Sequence, residues 1–262
     1  MSIVLAGLVA ASAPQGSGSE VVWKWVPEPT SCLLRQDVGD GRFLDVGGRP
    51  GMQGVGLSVI DTDARIRTSK TLSSVQFGFS PGETRSIDAY LWPSRDPIGR
   101  SIGVTLGTEA RAQFTNASAI SFAHDEIGTV RVAVRAPAAA LDAIRACEDR
   151  KLAEWGVDPA AWRTLSAKPT PATPKEKWFS WADYPVRQKN YANDIEVVAR
   201  LDLAADGSVV KCTVVNRPPE EFVPAACNAL MKNARFHPAM DAQGKATPAP
   251  YIFQVNFGAI RL

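Results

Sequence analysis

The side chains best suited to chemistry are grouped in His124-Asp125-Glu126, the densest polar stretch of the sequence. An imidazole beside two carboxylates could transfer protons as a general acid or base. A hydrolase would also need a nucleophile at the imidazole, yet the sequence has no G-x-S-x-G elbow and only 2 histidines, the other being His237. Because the triplet falls between two strand-like runs, we interpret it as a solvated turn. A hydrolase with its site in the N-terminal domain is our third functional hypothesis.

Metal and phosphate sites are not indicated by the remaining motifs. Residues 37–41 and 61–63 carry closely spaced aspartates, but they lack the later glycine and glutamate of a calcium loop. The glycine-rich residues 47–51 are not followed by the Lys-Ser/Thr of a phosphate-binding loop. We therefore expect turns at the two aspartate-rich stretches, and no cofactor, no metal and no enzymatic activity.

The 4 cysteines, Cys32, Cys147, Cys212 and Cys227, allow three pairings, and the sequence alone does not choose among them. We prefer Cys32 with Cys147 and Cys212 with Cys227, because each bond then lies inside one of the two domains described below. Zinc is the competing interpretation, but the sequence has no C-x-x-C pair and no Cys/His cluster. Disulfides predict an oxidising compartment.

The N-terminal half consists of short strand-like runs separated by Gly, Pro, Asp and Ser, as in an antiparallel sandwich or barrel. Residues 137–155 then change to a helical period, with Ile144 and Cys147 on the apolar side. We predict an antiparallel β domain over residues 20–165, closed by this one helix, which a bond to Cys32 would hold against the first strand. The predicted strands are residues 31–36, 56–62, 71–79, 84–91, 102–105, 119–124 and 129–135.

The C-terminal part has the order strand, strand, helix, strand, which makes the whole protein α+β. Residues 195–203 alternate apolar and polar side chains, and Asp206-Gly207 favours a tight hairpin before a second run at 208–215. A helix at 224–234, with Cys227, Leu230 and Met231 on one face, precedes a final strand at 251–260. Residues 166–177 contain three of the prolines and predict a semi-extended linker between the domains.

Several motifs of residues 178–262 occur in the order known from one family. They are Tyr184-Pro185, Asp206-Gly207-Ser208-Val209, Ala225-Ala226-Cys227, and Arg235-Phe236-His237-Pro238-Ala239 followed by Asp241 and Gly244. With these motifs the region resembles the C-terminal domain of the TonB family, some members of which also carry cysteines in the second strand and the helix. The N-terminal half is faintly similar to secreted β domains related to invasion-associated locus B, from which we infer no function.

The TonB resemblance implies that an extended partner segment adds to the final strand by main-chain hydrogen bonding. The implied binding residues are Tyr184, Pro185, Tyr251, Phe253, Val255 and Phe257. The expected partner is an outer-membrane receptor or another envelope protein. Trp178 and Trp181 either pack the end of the linker onto the sheet, which we favour, or line the peptide groove. A structural envelope module that forms homodimers through the TonB-like domain is the second functional hypothesis.

Composition and the N-terminus indicate the compartment. A net charge of +2, from 29 basic and 27 acidic residues, gives no strong positive potential that would attract nucleic acid. The apolar run at residues 3–11 and the small-x-small triplet at 11–13 predict a signal peptide over residues 1–13; the alternative is a buried strand. No apolar run reaches the roughly 20 residues that span a bilayer. We therefore expect a periplasmic protein without a transmembrane segment.

Overall fold

A computed structural model describes residues 22–52, 54–64, 71–125, 127–185 and 195–258. The predicted signal peptide lies outside the described residues. The described elements form a large antiparallel sheet, followed by a small three-stranded sheet with a helix, which confirms the α+β prediction.

The first sheet has nine antiparallel strands in the order β1-β2-β3-β4-β7-β6-β5-β8-β9. Its apolar face is continuous, and Leu44, Phe77 and Phe122 are among its fully buried side chains. The strands are β1 (Lys24–Val26), β2 (Cys32–Gly39), β3 (Arg42–Gly48), β4 (Val55–Asp61), β5 (Thr71–Ser80), β6 (Thr84–Arg95), β7 (Ile98–Leu106), β8 (Ala119–His124) and β9 (Gly128–Ala133), with helix α1 (Thr108–Thr115) between β7 and β8.

The buried side chain of Gln36 connects the two ends of this sheet. Its Nε2 donates to the carbonyl of Ala133 at 3.0 Å, and its Oε1 accepts from the amide of Arg135 at 2.9 Å. Because Gln36 lies on β2 and Ala133 ends β9, the sheet curls until its last strand reaches its second. The side-chain amide satisfies main-chain groups that no strand pairs there.

Two helices follow the sheet, α2 (Pro137–Glu154) and the short α3 (Pro159–Thr164). The helix predicted at 137–155 is thus confirmed. Its end is marked by Gly156, which has a φ of 74° and whose amide donates to the carbonyl of Ala153. A disulfide joins Cys147 of α2 to Cys32 of β2, with their Cα atoms 6.0 Å apart. This is the pairing preferred above.

An ion pair connects α1 to α2 at a buried position. Arg111 Nη2 donates to Glu148 Oε2 at 3.1 Å, and the two side chains are 20% and 10% exposed. Burial raises the pKa of the Glu148 carboxyl above its ordinary value of 4.5, and the nearby Arg111 opposes this rise only partly. The native state therefore holds the Glu148 proton more tightly than the unfolded chain does.

This shift predicts how Glu148 contributes to stability as pH changes. The contribution of Glu148 to the free energy of unfolding is full below pH 4.5 and declines as pH rises through the native pKa. The reason is that the carboxyl loses its proton at a higher pH in the native state than in the unfolded state. We expect Glu148→Gln to lose less unfolding free energy than the wild type between pH 4.5 and 7, as measured by urea unfolding. Glu154→Gln, at an exposed position of the same helix, serves as the control. Identical pH profiles for wild type and Glu148→Gln would contradict the shift.

The C-terminal part contains a three-stranded antiparallel sheet in the order β12-β11-β16, with one helix between β12 and β16. This is the predicted strand, strand, helix, strand order. Short two-residue strands flank it. The elements are β10 (Thr170–Pro171), β11 (Ile195–Leu203), β12 (Val209–Val214), α4 (Phe222–Asn233), β13 (Phe236–His237), β14 (Ala239–Met240), β15 (Ala246–Thr247) and β16 (Ala249–Phe257).

The segment predicted as a semi-extended linker is attached to this C-terminal part in the structure. β10 pairs antiparallel with β13, and the amide of Ala172 donates to the carbonyl of Arg235 at 2.8 Å. The amide of Ser166 donates to the carbonyl of Met240 at 2.9 Å. Prolines keep the segment extended but leave the intervening amides available for pairing, so residues 166–172 do not run free between two domains.

Candidate partner-binding site

The two faces of the small sheet pack against different parts of the protein. Alternate side chains of β11, including Val197, Ala199 and Leu201, are fully buried on the side that faces α4. A second disulfide, Cys212–Cys227, joins β12 to α4 with Cα atoms 5.5 Å apart, again in the preferred pairing. The helix buries Phe222, Ala226, Ala229 and Leu230.

Met231, which the sequence places on one face with Cys227 and Leu230, is 39% exposed. Helical spacing places Phe222, Ala226 and Leu230 on one stripe, and residue 231 is rotated by about 100° from its neighbour at 230.

β16 lies at the edge of the sheet, and the register shows which of its main-chain groups are free. The amide of Val198 donates to Asn216 Oδ1 at 2.9 Å, and the carbonyl of Val198 accepts from Val215 at 2.8 Å. Both main-chain groups of Val198 thus point toward β12. Because successive residues of an antiparallel strand point to opposite neighbours, those of Val197 and Ala199 point toward β16.

The partners of Val197 and Ala199 on β16 are Val255 and Phe253. Odd-numbered residues of β16 therefore bond to β11, and the amides and carbonyls of Ile252, Gln254 and Asn256 project from the free edge. Among the described strands, β16 pairs with β11 alone. Pro250 fits this assignment. It is also an even-numbered residue, whose main-chain groups point away from β11, and proline has no amide hydrogen that would be left unpaired there.

The side chains of the predicted binding residues on β16 pack within the protein, on the α4 side of the sheet. The ring of Phe253 lies 5.0 Å from that of Trp178, and the ring of Tyr251 lies 4.6 Å from that of Phe236. Phe257 meets Tyr184 at 5.2 Å. Val255 is half-buried against the cluster that contains Phe257. Pro185, at the end of its described segment, is also half-buried. The structure thus brings Tyr184 to the final strand.

Residues 178–184 cover the α4-side face of β16. Trp178 is fully buried, and its indole nitrogen donates to Thr173 Oγ1 at 2.8 Å. Phe179 stacks parallel to Phe253 at 6.1 Å. The packing role favoured for Trp178 is therefore what the structure shows. The side chain of Trp181 lies outside the described residues.

The opposite face of the small sheet packs against the β domain. Val198 and Ile252 form an apolar cluster with Leu152 and Val157, which lie at and just after the end of α2. Arg200 Nη1 donates to the carbonyl of Trp155 at 2.6 Å, next to the end of α2. The two predicted domains therefore share a packed interface, which the sequence analysis did not predict.

Polar contacts extend this interface toward the end of β16. Glu196 accepts hydrogen bonds from Thr30 of the β domain and from the side chain of Gln254. Burial is the main cause that raises the pKa of Glu28, and the negative charge of Glu196 adds to the shift. Carboxylates of both domains thus approach each other beside β16.

The two histidines considered for chemistry lie in different parts of the structure, and Glu126 lies outside the described residues. His124 lies at the end of β8 opposite Gly128, and His237 is exposed in β13. A cavity of about 240 Å³ lies between α3 and the start of β16, and its lining includes Arg200 and Asp202 but neither histidine. Within the described ranges, no three His, Cys, Asp or Glu side chains are placed to hold a metal ion.

Across the described ranges, no helix combines the length and the apolar character that crossing a membrane requires.

A three-stranded antiparallel sheet with a helix on one face and its last strand at a free edge defines a small α+β domain suited to strand addition. Residues 182–258 match the family model described as the Gram-negative bacterial TonB protein C-terminal. This match confirms the resemblance drawn from the sequence and indicates a TonB-like envelope protein. It covers less than a third of the chain. Neither the curated proteins nor the solved structures contain a match to this chain.

Proposed function

We propose that this protein is a periplasmic, non-enzymatic binding protein that takes up an extended segment of an outer-membrane receptor along β16. The observation that carries the proposal is the row of outward main-chain groups at Ile252, Gln254 and Asn256. An edge strand with such groups can pair with an extended peptide about 4.8 Å away. The match to the TonB C-terminal family model supports the proposal that this domain belongs to a TonB-like envelope protein.

The proposal is tested by NMR on the full-length, oxidised chain labelled with nitrogen-15. The probes are ten-residue synthetic peptides from the N-termini of outer-membrane receptors of the same bacterium. We expect chemical shift changes at the amides of Ile252, Gln254 and Asn256. The same peptides with alternate amides N-methylated serve as controls, because they cannot complete a ladder of main-chain hydrogen bonds. A folded protein without shifts at millimolar peptide would overturn the proposal.

Substitutions at Gln254 distinguish the contribution of its main-chain amide to peptide binding from that of its side chain. Gln254→Pro removes one outward amide and keeps the bonds between β16 and β11, so we expect peptide affinity to fall at least about tenfold, or roughly 1.4 kcal/mol. Gln254→Ala is the matched control, because it removes the contact with Glu196 but keeps the amide. Both affinities are measured by calorimetric titration.

Val210→Pro provides a second control, since it places a proline in the other edge strand, where Val210 is 58% exposed. Peptide affinity should be unchanged in this variant. If Gln254→Ala weakened binding as much as Gln254→Pro, the side chain would be responsible and strand addition would be rejected.

The free edge of β12 favours a second candidate function, a structural module that forms homodimers. β12 pairs with β11 alone among the described strands, and its exposed Val210 offers apolar contact to a second copy. This candidate predicts a concentration-dependent dimer in analytical ultracentrifugation that Val210→Pro abolishes and Gln254→Pro leaves intact.

A further inference from the structure

A turn of the β domain lies directly against the edge strand of the small sheet. It spans residues 49–52 and is closed by a hydrogen bond from the amide of Met52 to the carbonyl of Arg49, at 3.0 Å. Gly51 has a φ of 79°, and a Cβ atom at this position would stand 2.9 Å from Ile252 Cγ1. Only glycine allows this approach, so the turn is fitted closely to β16.

β16 is therefore covered on both faces, and no other described strand pairs with its outer edge. On the α4 side it is covered by residues 178–184, with Phe179 and Tyr184 against its aromatic side chains. On the other side it is covered by the turn at Gly51 and by Leu152. The outer edge of β16 thus has one wall from each predicted domain, formed by residues 178–184 on one face and by the turn at Gly51 on the other.

Side chains of a strand added to β16 would alternate between these two walls. Those on the α4 side would meet the aromatic wall. Those on the other side would meet the turn of the β domain, where Met52 follows Gly51 and leaves 46% of its surface exposed. An exposed methionine is a flexible apolar surface that adapts to different side chains.

We propose that the β domain takes part in partner recognition, with Met52 contacting an apolar side chain on the face of the added segment that is turned toward the β domain. The partner is thus an extended segment that is apolar on the face turned toward the β domain. This inference rests on the proposed function, because it requires an added strand along β16. It assigns to the N-terminal half a role in selecting the segment.

The contact is observed through the methionine methyl groups of the full-length protein, labelled with carbon-13 and titrated with the receptor peptides described above. We expect the methyl signal of Met52 to shift together with the amides of Gln254 and Asn256. Met231 is the internal reference, because it is also exposed, at 39%, but lies on α4. Its methyl signal should stay in place.

The matched variants are Met52→Glu and Met231→Glu. We expect Met52→Glu to weaken peptide binding about fivefold, since a charge replaces the apolar contact, and Met231→Glu to change it less than about twofold. Amide shifts at Gln254 and Asn256 without a Met52 methyl shift, and with full affinity in Met52→Glu, would overturn the role of the β domain and leave the proposed function standing. Absence of the amide shifts would overturn both.

Discussion

Loss of the Cys32–Cys147 disulfide is expected to lower the free energy of unfolding by about 5 kcal/mol. The bond links residues 115 positions apart, and the entropy that a cross-link removes from the unfolded chain grows with the length of the closed loop. It also holds α2 against β2, where Cys32 and Cys147 are both buried. The measurement is urea unfolding of the double variant Cys32→Ser/Cys147→Ser, followed by circular dichroism.

The second disulfide provides the comparison. Cys212 and Cys227 are 15 positions apart, so the same argument gives about 3 kcal/mol for Cys212→Ser/Cys227→Ser. The expected order of destabilisation is therefore set by loop length. A smaller loss from the Cys32–Cys147 pair than from the Cys212–Cys227 pair would show that structure retained in the unfolded chain, rather than loop closure, determines the effect.

How far the fold could be read from the sequence depends on how each strand is buried. β11 was predicted at 195–203 with the limits that the structure gives, because one face is fully buried, the other is partly covered, and Asp206-Gly207 marks the turn that follows. β3 was missed. Its buried apolar side chains are only Leu44 and Val46, and the strand ends in Gly47 and Gly48, a residue type depleted in strands, so the alternation is too short to indicate a strand.

The glycine at the end of β3 has a tertiary cause. Gly48 lies in the strand, and a Cβ atom there would stand 1.9 Å from Glu148 Oε1. The residue is small because α2 passes over it. A contact between positions 100 residues apart leaves no periodic signal in the sequence, and the same holds for Gly51 and Ile252, which bring the β domain to β16.

The candidate site could be predicted only to the level of the strand. The sequence indicated the final strand and Tyr184, but the residues it gave on β16 are those whose side chains pack inside the protein. The outward amides belong to the alternate residues, Ile252, Gln254 and Asn256. Which alternate set faces outward depends on the register with β11 and on which residues of β11 point toward β16, and the bonds of Val198 to Val215 and Asn216 show the latter.

Replacing Trp178 by alanine is expected to destabilise the protein by about 3 to 5 kcal/mol, the range found when large buried aromatic side chains are removed. Trp178 is 0% exposed, and its ring lies 5.2 Å from that of Phe236 and 5.0 Å from that of Phe253. It therefore connects residues 166–184 to both β13 and β16. Urea unfolding of Trp178→Ala gives the measured loss.

Two control variants distinguish the loss of Trp178 packing from the loss of its hydrogen bond and from the removal of any tryptophan. Trp25→Ala should cost less than about 0.5 kcal/mol, because Trp25 is 49% exposed on the first strand. Thr173→Val removes only the acceptor of the indole bond and should cost about 1 kcal/mol. Equal stabilities of Trp178→Ala and Trp25→Ala would mean that residues 166–184 are not held by this ring. The aromatic wall beside β16 would then not be a fixed part of the binding site, and the peptide would have to order it on binding.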